Sequence, residues 1–224
     1  MKKLSLLFTK DGLQWHISKG KTVLEEAFHF VTEETSPHLV EQKLDEILKF
    51  DDYKEIEVIS ALNHFSLTPD TFAEHELGYK LISYNAPVDE ANEELMLSVN
   101  KKFAVQFYYT FPKHFYQKIK AKKLPTKFNF SGEKFLNALT VKNHKEIHIN
   151  LYHHQVEFFA FENKKVVLYN NLDADSEVDF LYFIMFSLSK INFGTAETHF
   201  HIYGETHENE TFISELRKFV KNIK

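Results

Sequence analysis

Thirteen histidines invite a search for chemistry first, because imidazole both ligates metals and carries protons near neutral pH. His199 and His201 stand two apart in Glu197 to Tyr203, a run with strand composition, so their side chains share one face. His148 lies in a second strand-like run and could join them. Zinc needs three or four converging, supported ligands, and the chain has no HExxH pattern to provide them. His153-His154 is a consecutive pair whose side chains diverge on a strand. The expectation is scattered surface or half-buried histidines and no metal site. Asp173, Asp175, Glu177 and Asp179 are the densest acidic cluster, but they precede or open a helix, where negative charge complements the dipole. Ser131-Gly132 likewise reads as a helix cap rather than an anion site, since no Lys-Ser or Lys-Thr follows. No GxSxG, P-loop or GxGxxG is present, and the absence of cysteine removes thiol catalysis and disulfides.

The elements that must position these residues are legible as two similar series. Leu4 to Thr9, Leu13 to Ser18 and Val23 to Phe28 alternate as strands, with turns at Asp11-Gly12 and Gly20. Asp-Gly suits a type I′ hairpin because Gly accepts positive φ without steric cost. Ser36-Pro37 opens a helix whose apolar face is Leu39, Val40, Leu44, Ile47 and Leu48, and Glu55 to Leu62 is a strand. The second series starts with strands Ile147 to Tyr152, Val156 to Phe161 and Val166 to Asn170. A helix over Ser176 to Lys190, a strand over Glu197 to Tyr203 and a helix from about Asn209 follow. The spacing predicts a helix from Thr68-Pro69 to about Tyr84 and another over Asp89 to Asn100. After them come a strand over Phe103 to Thr110, a helix over Pro112 to Ala121, a strand over Lys127 to Phe130 and a helix over Gly132 to Thr140. Ser176 with Asp179 makes a capping-box-like start, and the helix beyond is apolar nearly all round, which predicts burial on several sides. The halves divide at 143/144, giving domains 1–143 and 144–224.

Of the 224 residues, 27 are basic and 32 acidic with mixed signs, so no nucleic-acid partner is expected. The opening MKKLSLLFTKDG imitates a signal peptide, but its apolar run ends at Phe8, and nothing approaches a membrane span. The expected location is cytoplasmic.

Two copies of a meander of three strands, a helix and a strand resemble the actin-like ATPase superfamily, which includes actin, Hsp70 chaperones and sugar kinases. The segment KKFAVQFYYTFPKHFYQKIKAKKLPTKFNFSGEKFLNALTV is similar to one in its pilus-assembly and cell-division members. The whole chain is similar to an uncharacterised Bacteroidetes family through LSLLFTKDGLQWHI, SLTPDTF, KEIHINLYHHQVEFFAFENKKVVLYNNL and ETHFHIYGE. The resemblance implies an α/β, duplicated ribonuclease-H-like (actin-like ATPase) fold, with two mixed sheets each built on a three-strand antiparallel meander and flanking helices.

In active members of that superfamily, both meander turns clamp the nucleotide phosphates through an Asp, a nearby Gly and small hydroxyl residues. Here Asp11 and Gly12 match the first turn, as an adjacent pair followed by bulky Leu13. Asn150 to His154, the second, has neither Asp nor Gly, and Tyr152 and His153 would crowd a phosphate. Where adenosine would be held, Ile202-Tyr203-Gly204-Glu205 offers one Gly and an acid. The resemblance thus leaves Asp11, Gly12 and Gly204 as nucleotide-site candidates and implies a degenerate site. The expected function is a non-enzymatic scaffold with an unidentified protein partner, no catalytic residue and no cofactor. The alternatives are an ATPase or nucleotide-binding protein using ATP and Mg²⁺ at an altered site, and a small-molecule or metal-binding module using a cleft between the halves.

Overall fold

The computed structural model describes residues 2–30, 38–50, 52–152 and 155–224. The chain divides into two compact units, Met1–Lys134 and Phe135–Lys224, nine residues before the division expected from sequence.

In the first unit, β1 (Lys2–Thr9), β2 (Gly12–Lys19) and β3 (Thr22–Phe30) form an antiparallel meander. Alternation sends Leu4, Leu6 and Phe8 and then Leu13, Trp15 and Ile17 into one core. The turn differs from a type I′ hairpin. Thr9 pairs directly with Gly12, so Lys10 and Asp11 are the central residues, and neither has positive φ. The permissive backbone is used one residue later, by Gly12 at φ 142°.

Helix α1 (His38–Leu48) buries Val40, Leu44, Ile47 and Leu48, the expected face; the Ser36-Pro37 cap lies outside the described residues. Strand β4 (Tyr53–Ser60) then runs parallel to β1. One expected helix starts later than predicted, and another is replaced by a strand. Thr68 and Pro69 end β5 (Phe65–Pro69), an edge strand, where a residue without an N–H is tolerated. A 3₁₀ turn, His75–Leu77, and α2 (Gly78–Ser83) follow. Most of the predicted helix over Asp89 to Asn100 is β6 (Glu93–Asn100). Its pattern is inverted: Leu97 and Val99 face outward while Ser98 and Asn100 are buried. Ser98 Oγ accepts from Phe130 N, and Asn100 Oδ1 accepts from Phe103 N. Local bonds that satisfy buried polar groups let the strand break the usual alternation.

Strand β7 (Val105–Pro112) pairs with both β5 and β6. Helix α3 (Lys113–Ala121), β8 (Thr126–Phe130) and α4 (Ser131–Ala138) come next, α4 crossing the division between the units. The main sheet of this unit has the order β3-β2-β1-β4-β8.

The second unit repeats that plan. Its meander is β9 (Glu146–Tyr152), β10 (Gln155–Glu162) and β11 (Lys165–Asp173). Helix α5 (Glu177–Lys190), β12 (His199–Gly204), α6 (Glu210–Arg217) and the short β13 (Asn222–Ile223) complete it. The order β11-β10-β9-β12-β13 is that of the first sheet element for element, with β12 parallel to β9 as β4 is to β1. Even the exits match: Ala61 N donates to Phe8 O at 2.8 Å, and Glu205 N donates to Leu151 O at 2.7 Å.

Helix α5 is capped as expected, with the Asp179 N–H donating to Ser176 Oγ at 3.1 Å. Its facing corrects the expectation of burial on several sides. Phe180, Ile184 and Leu188 are in the core, whereas Val178, Tyr182 and Phe186 are exposed. Residues two apart on a helix are about 200° apart, so these are opposite stripes.

Candidate functional site

Asp11 and Gly12 sit together at the β1–β2 turn of the first unit, and Gly204 ends β12 in the second. The Asp11 N–H donates to Thr9 Oγ1 at 3.1 Å, so this amide is already engaged. Asp11 Oδ2, by contrast, is buried with no hydrogen-bond partner. Gly204 has φ +83°, and a Cβ there would lie 2.1 Å from Leu151 O and 2.7 Å from Asn150 Oδ1. Glycine is required at this position by the close approach of β9. The neighbouring amide, Glu205 N–H, is taken by Leu151 O. Tyr152, expected with His153 to crowd a phosphate, pairs with Gln155, and His153 lies outside the described residues.

The fit to a phosphate clamp is therefore partial. One carboxylate oxygen at the first turn lacks a partner, as a metal-organising Asp could, while the amides of Asp11 and Glu205 are both bonded within the chain.

A second group of polar residues lies on the face of the second sheet opposite its core. Parallel pairing of β9 and β12 puts His201 beside His148 and His199 beside Glu146. Strand alternation turns all four to the same side. Glu146 and His148 are buried, and His201 is partly exposed. Glu146 Oε2 lies 3.5 Å from His148 Nε2, and Glu146 Oε1 lies 3.4 Å from His201 Nε2 and 3.0 Å from His144 Nε2. The backbone N–H of Lys142 donates to Glu146 Oε2 at 2.8 Å, and His148 Nδ1 is hydrogen-bonded to the Tyr203 hydroxyl at 3.0 Å. The rings of His148 and His201 stack with centroids 4.6 Å apart.

The electrostatics follow from this burial. Burial, with the nearby His201 charge second, pulls the His148 imidazole down to about 4, so it is neutral at physiological pH. Burial pushes the Glu146 carboxyl up, but the Lys142 N–H and His148 outweigh it and hold it below the usual range. His201 is lowered as well, chiefly by burial. The cluster is thus an ionised carboxylate among imidazoles, one fully buried and neutral. Sequence reasoning placed His148, His199 and His201 on strands but missed Glu146, which lies just before the predicted start of its strand. His199 is directed instead against His144, with ring centroids 4.2 Å apart.

The third feature is the outer stripe of α5. Val178 is 75% exposed, Tyr182 58% and Phe186 47%. A groove beside it is lined by Glu177, Val178, Leu181, Tyr182, Met185 and Glu215. Glu210 lines a continuation that shares Glu177, Val178 and Glu215.

Two sheets of identical order, each a meander extended by parallel strands, define the actin-like ATPase fold. A protein of unknown function with that fold from Bacteroides thetaiotaomicron VPI-5482 matches with a TM-score of 0.82 and 21% identity, over 99% of this chain and 89% of that one. The chain belongs to the family described as "Protein of unknown function (DUF3822)", whose model matches residues 1–223. A chain of a PilM–PilN type IV pilus biogenesis complex matches with a TM-score of 0.60 and 11% identity, over 99% of this chain and 87% of that one. The cytoplasmic domain of EpsL, an inner-membrane component of the Vibrio cholerae type II secretion system, gives 0.55 and 8%, over 100% and 85%. No curated protein matches the chain by sequence. Among the described residues, no helix is long and apolar enough to cross a membrane.

Proposed function

We propose that this protein is a non-enzymatic interaction module of the cytoplasm, which holds a protein segment along α5 and turns over no nucleotide. The observation that carries this reading is the stripe of Val178, Tyr182 and Phe186. Single exposed apolar residues are ordinary, but three at successive i, i+4 positions on a helix whose opposite stripe is anchored in the core form a continuous patch. Leu181 and Met185 extend it into the groove, and Glu177 and Glu210 supply an acidic rim, Glu215 being paired with Lys218. The complementary occupant is an amphipathic helix with apolar anchors one turn apart and flanking Lys or Arg. The likeness to a chain solved within a PilM–PilN complex supports the fold's capacity to hold a protein partner. The engaged amides of Asp11 and Glu205 support the loss of nucleotide turnover.

The test places a photo-crosslinking residue at Tyr182 and compares its adducts with those of a Val178→Ser, Phe186→Ser background. A discrete adduct that is lost in the double variant, and is competed by a synthetic basic amphipathic helix, is the expected result. Equal adduct yield in both backgrounds overturns the reading.

One observation favours a second reading. The buried, partnerless Asp11 Oδ2 is an acceptor that a hydrated Mg²⁺ accompanying ATP could satisfy. Calorimetric titration with ATP and Mg²⁺ decides between them: micromolar binding that disappears in Asp11→Ala would replace the scaffold reading by a nucleotide-binding one.

A further inference from the structure

The geometry points to Glu146, His148 and His201 as the ligands of a divalent transition-metal ion, with Zn²⁺ the best fit. Their ligand atoms all lie within 4.8 Å of one another. Tetrahedral zinc with bonds of 2.0–2.1 Å separates its ligand atoms by about 3.4 Å. Each Glu146 oxygen stands at that separation from one imidazole nitrogen, 3.5 Å to His148 Nε2 and 3.4 Å to His201 Nε2. Both distances exceed the usual hydrogen-bond range of about 2.7–3.2 Å. The groups are too far apart to satisfy one another well and, once the stacked imidazoles turn so that both lone pairs converge, close enough to share an ion. His201 Nε2 shows the consequence, being buried with no hydrogen-bond partner.

The surroundings have the form that metal ligands need. The hydrogen bond between His148 Nδ1 and the Tyr203 hydroxyl fixes that ring and leaves Nε2 facing Glu146. The Lys142 N–H, donating to Glu146 Oε2 at 2.8 Å, holds the carboxylate in place. Two imidazoles favour zinc-like ions over Ca²⁺ or Mg²⁺, which take oxygen ligands. An ion would enter past His201 and His144, whose side chains are 21% and 35% exposed. His144 Nε2, 3.0 Å from Glu146 Oε1, is placed to support that carboxylate.

This inference is independent of the α5 surface, and its test involves no partner. Chelator-treated protein is titrated with ZnCl₂ against a fluorescent chelator, and separately with CoCl₂ while the visible spectrum is recorded. The expected result is one tight equivalent of zinc and the intense visible bands of four-coordinate cobalt. His201→Ala, the least buried ligand, should weaken zinc binding at least tenfold and abolish the cobalt bands, whereas His207→Ala, at an exposed position, should change neither. Circular dichroism checks that the variants fold; should His201→Ala fail to fold, the cobalt spectrum of the unaltered protein decides. Absence of those bands, or zinc affinity equal in the unaltered and His201→Ala proteins, would overturn the assignment.

Discussion

Replacing Phe180 by Ala tests the orientation of α5, on which the interaction surface depends. Phe180 is fully buried and its ring stacks on Phe212 at 5.1 Å, within a core that includes Ile184, Leu188, Ile213 and Leu216. A Phe side chain burying about 200 Å² at roughly 25 cal/mol per Å² gives about 5 kcal/mol as an upper estimate. Residual compactness of the unfolded chain lowers that figure, while the cavity and the lost ring pair raise it, so a cost of about 3–5 kcal/mol is expected. Phe183→Ala should cost distinctly less, because Phe183 lies on the partly buried flank. Val178→Ala should stay within about 0.5 kcal/mol, as exposed substitutions do. Urea denaturation followed by far-UV circular dichroism measures all three; fluorescence would not, since the single tryptophan, Trp15, belongs to the other unit. A cost below about 1 kcal/mol for Phe180, or above that for Val178, would show that the two stripes have been assigned to the wrong sides.

Glu57 should shape the acid limb of stability. Burial acts to raise its carboxyl, but hydrogen bonds from Lys134 and Lys3 outweigh this and lower it from 4.5. A depressed folded-state value contributes stability above pH 4.5 that is lost as pH falls through the folded value. Melting temperatures of the unaltered and Glu57→Gln proteins should therefore differ at pH 7 and converge toward pH 3; a constant gap would refute the assignment. Gly204→Ala should cost more than Gly20→Ala, because both have positive φ but only Gly204 has backbone in the Cβ position. Left-handed strain alone accounts for about 1–2 kcal/mol, and equal losses in chemical denaturation would show that the β9 contact is unimportant. Asp11→Ala should leave the α5 crosslink unchanged, and its loss would link that turn to partner binding.

Much of the second unit could be read from sequence because its strands alternate against one core: Ile147, Ile149 and Leu151 on β9, then Val156, Phe158 and Ala160 on β10. β6 was not legible, since its buried positions are Ser98 and Asn100 and its outward ones Leu97 and Val99. The facing of α5 was hidden for the opposite reason: apolar residues on both stripes erase the periodic signal that tells core from surface. The histidines were visible as residues and invisible as a cluster. Their convergence depends on the parallel register of β9 with β12, whose paired residues are 53 apart in the chain, and is set by neither local propensity nor a turn.

The duplication lets the cluster be compared with its counterpart in the first unit. Leu151 beside Gly204 corresponds to Phe8 beside Ser60, so counting back along the paired strands matches Glu146, His148 and His201 with Lys3, Ser5 and Glu57. In the first unit, the partly buried Glu57 is neutralised within the chain, by Lys3 at 2.6 Å and Lys134 at 2.6 Å. In the second, the partners of the more deeply buried Glu146 are three histidines and one backbone N–H. The same pair of strands thus carries a carboxylate beside lysines in the first unit and a carboxylate beside imidazoles in the second, at positions that do not coincide, since Glu57 matches His201 and Lys3 matches Glu146. A metal ion at the proposed site would supply beside Glu146 the positive charge that the two lysine ammonium groups supply beside Glu57.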